Sequence, residues 1–416
     1  MRDLLIRPWL VRLHRYAGLA IAPFLVVTGL TGAVISWDHE LDAWLNPGLL
    51  TATTRGPEIP SLDLATAVEA RDTRIRVSYV PLSREPGAAL IFGVEPRIDP
   101  VTGVPFRVDY NQVFVDPVSG RELGRREWGA VWPVTRETAV SFLYKLHFSL
   151  HVPEIAGNDR WGVWLLGGVA LLWTVDCLTA LLLTFPAPPK DVAQRVRVWC
   201  RRWSVAWRIR RGSAPYRLNY DIHRAFGLWT WILLLVLAFT AFSLNLYREV
   251  FYPLMSAVSD VTPTPYETRV EASPGRPFEP RIDFVAAIAA AQAEARLRGW
   301  REPAGGAFYS SRHDIYSVQF HGPGEGHGSA GVGPAQLFLD GANGALIGER
   351  LPWRGTLADK FMQAQFPLHS GRILGLPGRI AVSAMGLVVA MLSLTGVYLW
   401  WKKRAGRRRS LARSKA

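Results

Sequence analysis

The chain has 416 residues, a formal net charge of +14, two cysteines and 49% hydrophobic residues, with a mean hydropathy of +0.10. Two cysteines imply no disulfide framework and are too few to hold a cysteine-ligated iron–sulfur cluster. The mean hydropathy is low for a chain made only of membrane spans, so the apolar residues must be gathered into separate segments.

A basic segment ending at Arg15 leads into Tyr16–Trp37, which lacks Lys and Arg over the roughly 20 residues that cross a hydrocarbon core. It is too long, and too poor in a small-residue cleavage site, for a simple signal peptide. Three more such stretches follow, Trp161–Pro189, Ala225–Tyr247 and Ile380–Trp401, and only the first of these three carries a carboxylate, Asp176. The expected layout is an N-terminus and first span over 1–37, an external module over 38–146, and a second span over 147–189. A basic loop over 190–222, a third span over 223–247, a second external module over 248–368, a fourth span over 369–401 and a basic tail over 402–416 complete it.

The N-terminal segment, the loop and the tail hold 21 of the 48 basic residues and, with the acids beside them, 3 of the 34 acidic ones. By the positive-inside rule both termini and the loop are cytoplasmic, and the two long segments lie outside. A basic face on a multi-pass protein points to contact with anionic lipid rather than to nucleic acid.

In the first external segment Leu62–Ala70 reads as a helix, followed by strands at Ile75–Val80, Ala89–Val94 and Val113–Asp116, a Pro117–Gly120 turn and Arg121–Gly124. The second repeats that order: helix Asp283–Arg298, strands near Ala307–Ser310, Ile315–His321 and Leu337–Asp340, a Gly341–Gly344 turn and Ala345–Arg350. Each reads as a small α+β layer. The glycine-rich stretch Gly322–Gly333 within the second segment is expected to be a flexible loop. Tyr79, Arg84, Tyr110, Tyr309, Tyr316, Trp353 and Arg354 offer aromatic and basic groups for a bound ligand, although their spacing does not select one.

The spans repeat as well. A shift of 209 carries His14, Arg15, Gly18, Leu19 and Thr31 onto His223, Arg224, Gly227, Leu228 and Thr240. A shift of about 218 carries Phe148-Ser149-Leu150-His151 onto Phe366-Pro367-Leu368-His369, and Leu178-Thr179-Ala180 resembles Leu394-Thr395-Gly396. The fold class expected is a membrane α-helical, four-span bundle built from two parallel repeats about an axis along the membrane normal.

Six of the nine histidines collect at span ends. His14 and His223 mark the cytoplasmic side; His147, His151 and His369 mark the outer side, with His39 just beyond the first span. Haem iron in a helical bundle takes axial imidazoles from facing helices, and the repeat offers that arrangement twice. His14 pairs with His223, and His151 with His369 by symmetry. His147, one helical turn before His151 and matched in the repeat by Gln365, is the competing ligand; it could instead share a haem with His39 or bond a propionate. Arg15, Arg224, Arg372 and Arg379 stand beside these histidines as propionate partners or interfacial anchors. Asp176 lies some 37 Å along a helix from His151 at about 1.5 Å per residue, which puts it near the His14–His223 pair.

The chain resembles the PepSY-associated transmembrane family, in which small external PepSY modules alternate with paired spans. The matching residues are the His14-Arg15…Gly18 and His223-Arg224…Gly227 openings and the Phe142–His151 entry to the second span. Leu171–Cys177, the Trp203…Ala206–Arg210 loop and Leu368-His369-Ser370-Gly371 complete them. Some members are similar to inner-membrane ferric-siderophore reductases, so the resemblance implies two b-type haems, a ferric siderophore as substrate, and a quinol or cytoplasmic electron donor. Other PepSY modules are similar to protease-inhibiting or regulatory domains, which leaves a membrane-anchored, non-enzymatic binding protein as the alternative. A permease fits poorly, because Asp176 is the only charge at depth.

Overall fold

The structure, a computed structural model, describes residues 2–187, 195–273 and 275–413. Pro189 at the expected end of the second span, Lys190 and Asp191 in the basic loop, and Lys415 in the tail lie outside the described residues. The chain divides into two compact units, one of residues 1–37, 143–254 and 368–416, the other of residues 38–142 and 255–367.

The first unit is helical. Three of its helices, Ile6–Ile35, Trp161–Thr184 and Arg372–Ser410, are long and apolar enough to cross a membrane. Two-thirds or more of each apolar window is left uncovered by protein, as lipid contact requires. Ile21, Leu25, Cys177, Leu237, Met385 and Val389 belong to the core packed between them. The first and last of these helices approach at glycines: a Cβ on Gly29 would stand 2.6 Å from the carbonyl oxygen of Gly386.

The expected third span is not one straight helix. Pro215–Trp229 and Trp231–Asn245 are bent by 71° at a short break, and they make a fourth candidate span only when the bent pair is taken as one. Thr230 at the break has φ −108° and ψ 7°, outside helical values. The flanking indoles hold the bend, Trp229 donating to the carbonyl of Trp207 at 3.2 Å and Trp231 to that of Cys177 at 2.9 Å. At about 1.5 Å per residue, the 15 residues after the break reach roughly 22 Å, short of a full hydrocarbon core.

The second unit carries eight strands: β1 Ile75–Pro81, β2 Leu90–Pro96, β3 Gln112–Val115, β4 Glu122–Arg126, β5 Ala304–Ser310, β6 Ile315–Phe320, β7 Ala335–Asp340 and β8 Leu346–Arg350. They fall within a few residues of the segments read from the sequence. The two expected small sheets are joined into one antiparallel sheet in the order β4-β3-β2-β1-β5-β6-β7-β8. The join is β1 on β5, with Tyr79 opposite Phe308 and Val80 opposite Ala307. It is close because β5 offers glycine: a Cβ on Gly306 would stand 2.6 Å from the Tyr79 hydroxyl. Helices Ser61–Arg71 and Phe284–Leu297 each cover one half of the sheet, and Leu62, Leu82 and Phe284 pack against both resulting cores. The outermost strands bear charge, Glu122 and Arg125 on β4 and Glu349 and Arg350 on β8, which discourages further strand pairing.

Candidate functional site

Four histidines of the helical unit form two facing pairs. The first is His14, on the opening helix, with His223, on the limb before the bend; their ring centroids are 6.3 Å apart and the planes are inclined by 52°. The second is His147, in helix Ala139–Ser149, with His369, in helix Gln365–Ser370, at 6.1 Å and 50°.

Every one of these rings has its Nδ1 bound to an oxygen. His147 meets Oγ1 of Thr31 at 3.1 Å, His369 meets Oγ1 of Thr240 at 3.0 Å, His223 meets Oγ1 of Thr395 at 3.0 Å, and His14 meets Oδ1 of Asp176 at 2.9 Å. The partners follow the repeat. His14 and His147 are supported by residues of the first two apolar helices, and His223 and His369 by residues of the bent pair and the last helix. Each facing pair therefore takes one imidazole from each half of the chain.

The network favours a proton on Nδ1. A threonine hydroxyl has one proton, and Thr31, Thr240 and Thr395 each direct it to a carbonyl one turn back: Val27 at 2.8 Å, Val236 at 2.7 Å and Met391 at 2.8 Å. Each Oγ1 is then an acceptor, so the imidazole supplies the proton from Nδ1. The carboxylate of Asp176 imposes the same on His14. With Nδ1 engaged, Nε2 of each ring is the nitrogen available to ligate a metal.

The spacing suits one metal per pair. Two imidazoles bound through Nε2 at about 2.0–2.1 Å, with each ring centre roughly 1.1 Å further back, have centroids about 6.3 Å apart. Among the described residues no group of three or more His, Cys, Asp or Glu side chains can hold a metal ion. A metal between either pair would thus have two protein ligands and need its remaining donors from a bound group.

Space for such a group exists beside the first pair. A cavity of about 470 Å³ is lined by both histidines, Gly18, Gly227, Trp173 and Arg15. The glycines lie one turn beyond each histidine, and a Cβ on Gly227 would meet no atom within 4 Å. At the second pair, Gly32 leaves room for the ring itself, because a Cβ there would stand 2.9 Å from Cε1 of His147.

Several expectations are revised by this geometry. The partner of His369 is His147, and His151 is not in the pair. Helix Ala139–Ser149 ends before His151, which has φ +53° after Leu150 at φ +54°. The two histidines therefore do not share a helical face, and the expected second span over 147–189 is interrupted by a turn before its long helix begins at Trp161. His39 belongs to the sheet-bearing unit, where it stacks on His327 at 5.1 Å with planes 21° apart. Arg15 lines the cavity, as does Arg224, but Arg224 is bonded to Asp221 at 3.1 Å and to the carbonyl of Val205 at 2.9 Å. Arg379 is spent on the carbonyl of Ser36 at 2.7 Å. Tyr110, Tyr309 and Tyr316, offered as ligand-binding groups, are core residues of the sheet unit. Asp176 lies at the first pair as expected, although the helix leading to it is not continuous from His151. The threonines were not recognised as partners, yet their signal was present: Thr31 and Thr240 coincide under the same 209-residue shift as the histidine motifs.

The family model described as the PepSY-associated TM region matches residues 11–403, nearly the full chain. A comparison with curated proteins finds no match.

Proposed function

We propose that this chain, which belongs to the PepSY-associated transmembrane family, is a b-type haem oxidoreductase of the bacterial inner membrane that passes electrons outward to a ferric siderophore and so releases its iron. The observation that carries this reading is the pair of facing imidazole couples, 6.3 and 6.1 Å between centroids, with all four Nδ1 atoms engaged and all four Nε2 atoms left for metal. Two axial histidines and no third protein donor is the ligand set of a bis-imidazole haem. The bound group supplies the one-electron iron couple, and this chain supplies position, tautomer and insulation.

His14 and His223 would hold one haem and His147 and His369 the other. Thr31, Thr240, Thr395 and Asp176 keep each ring oriented, and such supporting hydrogen bonds strengthen imidazole as a donor. The architecture that serves this is a four-crossing bundle of two parallel repeats, with the bent pair as the third crossing and both termini on the cytoplasmic side, where the basic residues gather. A quinol or cytoplasmic reductant then gives electrons at the His14–His223 end. The sheet unit would bind the ferric chelate; ferrous iron binds hard oxygen donors less tightly, so one electron loosens the complex.

The test is transport of electrons across a sealed bilayer. Haem-loaded protein in liposomes with a reductant trapped inside is expected to reduce an external ferric siderophore, read by a ferrous-specific chromophore. The His369→Ala variant is expected to abolish that signal. Equal rates for the two proteins would contradict the proposal.

A further inference from the structure

Three of the four histidines are supported by a neutral hydroxyl and one by a carboxylate. Nδ1 of His147, His223 and His369 lies 3.1, 3.0 and 3.0 Å from Thr31, Thr395 and Thr240, whereas Nδ1 of His14 lies 2.9 Å from Oδ1 of Asp176. Asp176 is 7% exposed and is the single acid in helix Trp161–Thr184. Beside His223 the support comes from Thr395, which the repeat aligns with Thr179, so the two rings of this pair are supported by chemically different groups.

We infer that Asp176 sets the His14–His223 centre at a lower reduction potential than the His147–His369 centre, which gives electron flow through the bundle its direction. This rests on the haem reading above. A carboxylate draws the Nδ1 proton more strongly than a hydroxyl does, so the ring donates more electron density through Nε2 and favours the ferric over the ferrous state. The effect is enlarged in a water-poor setting, where a fixed negative group is weakly screened. The second centre has only hydroxyl supports and carries no such bias. One quinol would give up two electrons to reduce two ferric chelates to ferrous and release its two protons to water as it becomes quinone. Asp176 acts as a positioning residue throughout and exchanges no proton.

The test is an optical redox titration of the full-length, haem-loaded protein in detergent. The unmodified chain is expected to show two resolved midpoints. Asp176→Asn, which keeps the shape and removes the charge, and Asp176→Thr, which replaces the carboxylate with a hydroxyl, are each expected to keep both haems. Each variant is expected to shift the lower component by at least tenfold in its reduction equilibrium, about 59 mV upward for a one-electron couple, and to leave the upper one in place. His369→Ala, lacking the second centre, identifies the moving component as the one that remains. Two retained haems with an unmoved lower midpoint would overturn the inference and leave the functional reading standing. So would a shift confined to the component that His369→Ala removes. Loss of the first haem from both variants at normal protein yield would show that Asp176 holds the ligand in place and does not set its potential. A chain that takes up no haem at all, seen as absent Soret absorption, would overturn the functional reading and this inference together.

Discussion

Oγ1 of Thr240 stands 3.0 Å from Nδ1 of His369 and, 209 residues earlier, Oγ1 of Thr31 stands 3.1 Å from Nδ1 of His147. Both hydroxyls also lie within hydrogen-bond distance of carbonyls one turn back in their own helices, so the two rings are supported in the same way. The second couple is therefore built by one device used twice, once from each half of the chain.

That device predicts the effect of removing it. Thr31→Val and Thr240→Val preserve shape but withdraw the acceptor, and haem retention at the second centre is expected to weaken by about 10- to 100-fold. Thr→Ser at either site should retain it. Haem loss to apomyoglobin, followed for each variant, checks this; equal loss rates for Val and Ser would contradict it.

The choice between neighbouring histidines is equally direct. His147→Ala is expected to leave one haem per chain, whereas His151→Ala should keep two, because His151 lies past the helix end with φ +53°. A pyridine haemochrome assay counts them. A single haem in His151→Ala with two in His147→Ala would reverse the assignment.

Why the sequence misplaced this ligand is physical. Phe148–His151 matches Phe366–His369 in three of four residues, whereas Tyr144–His147 matches the same four in two. The shared letters do not fix where the helix stops, and the helix ends after Ser149 in one half and Ser370 in the other. Strand positions were legible because alternating burial writes itself into each segment, and the span helices because apolar length does. The β1–β5 join and the 71° bend at Thr230 were not, since both are settled by contacts between distant segments. The His14–His223 couple was legible because a strong local motif repeats at a constant shift.

Gly32 is expected to be intolerant of any side chain. A Cβ there would come within 2.9 Å of Cε1 of His147, so Gly32→Ala should tilt that ring away from His369. Low-temperature spectra are expected to show the second centre altered and the first unchanged. Two unperturbed centres would contradict the packing described.

The sheet unit should lose stability in acid through Asp72. The Arg74 side chain, bonded at 2.8 and 2.9 Å, holds this carboxyl well below the usual carboxylate range against the opposing effect of burial, with the Tyr110 hydroxyl adding a bond at 2.7 Å. Burial, and then the bond to Asp72, push the Tyr110 hydroxyl up to about 12. A depressed carboxyl contributes fully above its unfolded value of about 3.9, and that contribution is lost as the pH falls through the folded value. Asp72→Asn is expected to flatten the acid limb, read by hydrogen exchange on β1 and β2 in the intact protein between pH 3 and 7. An unchanged acid limb would contradict the role given to Asp72.

The claim on which the rest depends is that the two imidazole couples each hold a haem. The reduced-minus-oxidised difference spectrum of the purified full-length protein, combined with haem quantification, tests it most directly. The expected result is sharp α and Soret bands with two haems per chain, falling to one in His223→Ala. Absence of those bands in the unmodified chain, or an undiminished haem count in His223→Ala, would contradict it.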